Sequence, residues 1–147
     1  YDLILLHYGL NIATKHGKVY DNYQKAPLRS IDYIKECFPQ AGILLLSVGD
    51  REYRTSDGVM RTMPGVKNLI RYHEHIGAES KIAFWNMYEA MGGDGSIAKF
   101  VEAKPAMANL DYTHINFRGG KELAKLLYET LTYGKEQYDR RCAYEKE

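Results

Sequence analysis

The chain has 147 residues, 20 Lys+Arg against 19 Asp+Glu for a net charge of +1, and 45% hydrophobic residues including 13 Tyr. That balance fits one globular domain and excludes disordered, collagen-like and coiled-coil readings. With no basic excess, nothing in the composition favours nucleic acid or an anionic membrane as partner, and no apolar run approaches the roughly 20 residues of a membrane span.

The sequence opens Tyr1-Asp2-Leu3-Ile4-Leu5-Leu6, an apolar run with no initiator Met, signal peptide or polar lead-in. The expectation is that an earlier part, with any targeting segment, lies outside the sequence. Residues 2–8 before Gly9, 42–48 before Gly49 and 81–87 before Gly92-Gly93 are short apolar runs closed by turn residues, the pattern of buried strands. Their apolarity is continuous rather than alternating, which predicts parallel strands covered on both faces. Between them, Leu28, Ile31, Ile34 and Phe38 repeat at helical steps until Pro39. After Pro64, Val66, Leu69, Ile70 and His73 share a helical face that Gly77 is expected to end. A last helix opens near Phe117 with Leu123, Leu126, Leu127 and Leu131 on one stripe. Residues 135–147 alternate charges around Tyr138 and Tyr144 and read as a charged helix extension or tail after a domain portion of residues 1–134.

Alternating strands and helices predict an α/β sandwich on a parallel sheet. Three strands are few for this length. The first run is also as apolar as a central strand, which needs a neighbour on each side for its backbone groups. One or two further strands of the sheet are therefore expected to be missing from this chain.

Open parallel sheets bind ligands beyond the carboxyl ends of their strands. Gly9-Leu10-Asn11, Gly49-Asp50-Arg51 and residues 86–95 occupy those places. A fourth candidate, Asp111-Tyr112-Thr113-His114, precedes the last helix. Its spacing lets a carboxylate take the imidazole Nδ1 proton while Nε2 faces a nucleophile, although a surface pair or a helix cap has the same spacing. Asn11 after Gly9 reads either as a turn residue or as an amide donor for a developing oxyanion.

Other features point to less. Cys37 and Cys142 have no metal-ligand spacing. His73 and His75, two apart on a helix, face different directions, and His73 on the apolar stripe reads as a packing residue. Gly92-Gly93-Asp94-Gly95 lacks the ending of a phosphate loop and reads as a mobile loop bordering the cleft. Ser47 ends a strand without the strained turn that exposes a nucleophile. Trp85 and Tyr88 could stack on sugar rings, with core or rim packing as the default.

Taken together, His7-Tyr8-Gly9-Leu10-Asn11 resembles the Gly-x-Asn block of the SGNH (GDSL-type) hydrolases, and Asp111-Tyr112-Thr113-His114 resembles their terminal Asp-x-x-His block, in the same order and at matching separation. Residues 43–49 are similar to the family's next strand. The run from Trp85 to Gly93 is similar to members that remove O-acetyl groups from cell-wall polysaccharide, and the resemblance spans about residues 1–133. It implies a flavodoxin-like three-layer α/β/α sandwich and a serine esterase needing no metal or cofactor. His114 would be general base and then acid, Asp111 its orienter, Asn11 and Gly9 oxyanion donors, and Met91 and Tyr88 substrate contacts. The substrate implied is an O-acylated carbohydrate or a small acyl ester, and a cell-wall substrate would imply export. The family's Gly-Asp-Ser-Leu block, with the nucleophilic serine, should precede residues 2–8 and is expected on the missing N-terminal segment. Ile12 also stands where the family often has Asp. Two alternatives stay open: a lipase or lysophospholipase-type acylhydrolase, and a non-catalytic carbohydrate-binding module on an esterase-like frame.

Overall fold

The structure, a computed structural model, describes residues 1–17 and 20–145. Its centre is a parallel sheet of three strands, β1 (Leu3–His7), β2 (Gly42–Leu46) and β5 (Ala83–Trp85), in the order β1-β2-β5. Leu3 pairs with Gly42 and His7 with Leu46 on one side of β2, while Leu44 pairs with Ala83 and Leu46 with Trp85 on the other. Ile43, Leu44, Leu45 and Leu46 are all buried, so β2 is the central strand that continuous apolarity predicts. β1 differs. Among the described residues its partner lies on one side only, and Leu3 and Leu5 are 47% and 51% exposed, so one face of an apolar edge strand stands open.

Helices α1 (Asp21–Cys37) and α2 (Pro64–Glu79) cover one face. Ile31 and Ile76 meet Ile43 and Leu45 there, with Leu6, Leu28 and Phe84 packed around them. On the other side, α3 (Met87–Met91), α4 (Ser96–Glu102) and α5 (Phe117–Tyr144) gather Met87, Met91, Ile97, Phe100 and Leu123 against Trp85. This is the expected α/β sandwich. Pro64 opens α2 at its first turn, where a missing N–H is harmless. Gly77 does not end that helix, which continues to Glu79. A Cβ there would lie 3.3 Å from the Cβ of Phe84, so the glycine serves a close helix-to-strand approach. α5 opens at Phe117 and runs unbroken to Tyr144; residues 146 and 147 lie outside the described ones.

Sequence periodicity misses three elements, α3, α4 and a two-stranded antiparallel ribbon of β3 (Glu52–Arg54) and β4 (Met60–Thr62). The ribbon's strands have three residues each, too few to show an alternation. Its tip is closed by Thr55 N–H to Val59 O at 2.9 Å and by Thr55 Oγ1 to the same carbonyl at 2.7 Å, with Gly58 in the left-handed region at φ 83°.

Asp50 holds this ribbon to the sheet. It follows β2, is 1% exposed, and accepts from Thr62 Oγ1 at 2.8 Å on β4 and from the Ile97 amide at 3.0 Å on α4. Ser96 Oγ adds a longer contact at 3.5 Å. Removing a carboxylate that satisfies buried donors costs more than one bond, because the donors stay dry. Asp50→Ala is expected to lower the unfolding free energy by about 3 kcal/mol and Thr62→Val by about 1 kcal/mol. Urea denaturation of each variant checks this, and a loss for Asp50→Ala no larger than for Thr62→Val would remove Asp50 from its central place.

Candidate active site

The Asp111 and His114 side chains meet as their spacing predicts. Asp111 Oδ1 accepts the amides of Thr113 and His114, each at 3.0 Å, and Oδ2 lies 2.8 Å from His114 Nδ1. An ionised carboxylate can only accept, so it is Nδ1 that carries the proton of this bond. Partial burial pushes the Asp111 carboxyl up, but the bonds from the His114 ring and from the two amides outweigh it and hold it below the ordinary carboxylate range. Both side chains are about half exposed, at 48% and 59%, so the pair is open to a reactant.

The loop carrying them is braced at its ends. Asn109 N–H reaches His114 O at 2.8 Å, Asn116 N–H reaches Met107 O at 3.0 Å, and Ala108 and Ile115 form an antiparallel bridge. Asn116 caps α5 through Oδ1, which accepts from the amides of Arg118 at 2.9 Å and Gly119 at 3.2 Å, while its Nδ2 donates to Ala106 O at 2.9 Å. Within the loop Tyr112 has φ 52°, a left-handed conformation rare for a bulky residue. Its carbonyl accepts the Glu52 amide at 3.0 Å.

Gly9 and Asn11 sit in a short 3₁₀ turn, Leu10–Ile12, just past β1, with Asn11 exposed. Gly9 has φ 102°, and a Cβ there would stand 2.7 Å from the Tyr23 hydroxyl and 3.2 Å from His73 Nε2. Sequence reasoning missed this support beneath the turn. His73 is fully buried, its Nε2 is 3.3 Å from Tyr23 Oη, and Tyr8 packs edge-on against its ring. Burial first, and then the charge of neighbouring His7, lower the His73 pKa to about 4. It is a packing residue, as expected, but among the described residues only Nε2 has a partner, since Nδ1 is buried without one.

The two loops face each other across two consecutive residues. Arg51 Nη1 lies 3.4 Å from Leu10 O and 3.5 Å from Ala13 O, and the next amide, Glu52, holds Tyr112 O. Asp50 and Arg51 are legible in the sequence only as residues after a strand, and Glu52 carries no signal there. Glu52 is also 93% buried by its 7% exposure, and burial, then Asp50, then Glu102 push its carboxyl up.

The remaining sequence candidates fall elsewhere. Met91 is 6% exposed, with its Sδ under Gly49 in the core, so it does not border a cleft. Tyr88 is equally buried. Only its edge reaches a groove of about 370 Å³, lined also by Lys67, Arg71, Asn86 and Glu89, and its hydroxyl donates to Asp94 at 2.7 Å. The Gly92–Gly95 stretch, expected to be a mobile border, is pinned by Asp94 to Lys67 at 2.5 Å and by Gly95 N–H to Thr62 Oγ1 at 3.0 Å. Ser47 is fully buried and stitches the end of β2 to the start of α3. Its Oγ donates to Val48 O at 3.0 Å, lies 3.3 Å from Asn86 Oδ1, and accepts from the Tyr88 amide at 3.4 Å. Among the described residues no serine hydroxyl hydrogen-bonds a histidine, and no three His, Cys, Asp or Glu side chains gather as a metal site. Nor is any described helix long and apolar enough to cross a membrane.

A solved structure of a peptidoglycan O-acetylesterase resembles this chain with a TM-score of 0.77 at 22% sequence identity, over 90% of this chain and 37% of that one. The likeness is one of fold, and this chain spans little more than a third of that protein's length. No family model matches the chain, and no curated protein matches it by sequence.

The buried His73 carries a pH dependence. Its folded pKa lies below the unfolded value of about 6.5, so its contribution is complete above about pH 6.5. As the pH falls towards 4, the unfolded chain takes a proton that the folded chain refuses. Stability should fall by on the order of 3 kcal/mol across that window. Urea midpoints at about pH 7 and pH 4.5 test this: His73→Gln should lose much less between the two than the wild type, and an equal loss would place the dependence on other groups.

Proposed function

We propose that this chain carries the acid–base half and two oxyanion donors of a serine esterase of the SGNH (GDSL) type, acting on O-acetyl groups of polysaccharide. The observation that carries the reading is the Asp111–His114 geometry, with the carboxylate fixed by two amides and bonded to Nδ1, which leaves Nε2 as the ring nitrogen for proton transfer. The fold likeness to a peptidoglycan O-acetylesterase supports the same frame and suggests the substrate class.

In the proposed reaction the nucleophilic serine comes from a strand seated on the open edge of β1, where Leu3 and Leu5 lack cover. His114 Nε2 takes the serine proton as the oxygen attacks the ester carbonyl. Asn11 and the Gly9 backbone donate to the oxyanion, and the imidazolium returns the proton to the leaving sugar oxygen. Water then attacks the acetyl-enzyme with His114 again as base, releasing acetate. Asp111 keeps its charge and holds the ring in one tautomer. A second reading, a non-catalytic carbohydrate-binding frame, draws on the fact that no described serine meets His114.

Four measurements on the full-length protein separate these readings. His114→Ala should lower acetylesterase kcat by several powers of ten, and Asp111→Asn somewhat less. Asn11→Ala should cost roughly 10²- to 10³-fold in kcat with a smaller change in KM. Acetyl esters should turn over faster than decanoyl esters; the reverse order would move the substrate to the lipid-type alternative. A serine-directed phosphonate should label the full-length protein and leave the 147-residue chain unmodified. Full-length protein that binds acetylated polysaccharide without hydrolysing it would establish the non-catalytic reading.

A further inference from the structure

The exposed 3₁₀ turn that presents Asn11 has little of its own to hold it. It is three residues long, its internal bonds run from Ile12 N–H to Gly9 O at 3.0 Å and from Ala13 N–H to Leu10 O at 3.2 Å, and such turns have poor hydrogen-bond geometry. An oxyanion donor is useful only if it is aimed before the charge develops, so something outside the turn must fix it.

Arg51 is placed to do so. Its own carbonyl accepts the Met63 amide at 2.8 Å, which fixes its backbone at the junction of β4 and α2. Its Nη1 reaches the two carbonyls that bracket the turn, Leu10 and Ala13, and its Nε is buried, so the guanidinium lies against the turn rather than in solvent. The adjoining peptide holds the other half of the site through the Glu52 amide and Tyr112 O. We infer that Arg51 is a positioning residue: its guanidinium clips the Asn11 turn at both ends and sets it in register with the Asp111–His114 loop. The catalytic consequence rests on the esterase reading above, whereas the clip itself does not.

The distinction between a clip and a general contribution to stability is readable in two ways. Arg51→Met removes both contacts, and Arg51→Lys keeps a charge on a shorter stem whose nitrogen falls one bond short of Nη1, the atom that reaches both carbonyls. In the full-length protein, hydrogen exchange of the Ile12 and Ala13 amides should rise tenfold or more in Arg51→Met, with the β2 amides unchanged. Acetylesterase kcat should fall about 10- to 100-fold with KM within about threefold. Arg51→Lys should be intermediate in both, and it supplies the decisive comparison if Arg51→Met does not fold. Unchanged exchange at Ile12 and Ala13 in a folded, active variant overturns the clip. Faster exchange with unchanged kcat overturns its positioning role. A wild-type protein without esterase activity overturns the esterase reading and the catalytic half of this inference, and the exchange measurement then decides the clip alone.

Discussion

A carboxylate taken out of water must have its oxygens filled, and Asp50 meets that demand with donors from two other elements, Thr62 on β4 and Ile97 on α4. The ribbon and the start of α4 are arranged around that requirement. Because Thr62 is drawn to the end of β2, the β3–β4 ribbon lies across the mouth of the sheet. Because the α4 N-terminus is drawn to the same point, the Gly92–Gly95 stretch is pulled down onto the ribbon and fixed there by Thr62 and Lys67. The peptide between Arg51 and Glu52 is left between the Asn11 turn and the Asp111–His114 loop.

Those two loops are built on different physical terms. The Asp111 loop is largely self-supporting: its own carboxylate folds the backbone around it, and Asn116 ties its exit to the N-terminus of α5. The Asn11 turn is supported from below by Tyr23 and His73 and from the side by Arg51. The Asp111–His114 pair is held locally because its two members are three residues apart. The Asn11 turn depends on the wider frame.

The sequence shows some of this plainly and hides the rest for identifiable reasons. The unbroken apolar run of β2, Pro64 at the start of α2 and the Asp-x-x-His spacing are local signals, and the elements they predict are present. The ribbon escaped because its strands are short and polar, although Asp57-Gly58 is a turn signal that could have marked it. Gly77 reads as a helix stop because a sequence does not reveal that a glycine lies against Phe84. Met91 packs against Gly49, a contact between residues distant in sequence that no local pattern marks. The weight carried by Asp50 could not be read, since one charged residue after a strand looks the same whether it faces water or fills the core.

The ribbon that crosses the mouth of the sheet also divides the chain into lengths that can and cannot change. Its tip is exposed and closed by its own bonds between Thr55 and Val59, so extra residues inserted there would add only loop entropy, about 0.6 kcal/mol for each doubling of length. Between Asp50 and Glu52 no residue can be gained or lost without shifting one loop of the site relative to the other. Related chains should therefore drift in size at residues 55–59 and keep an invariant count at residues 50–52, a pattern set by the contacts that Asp50, Arg51 and the Glu52 amide make.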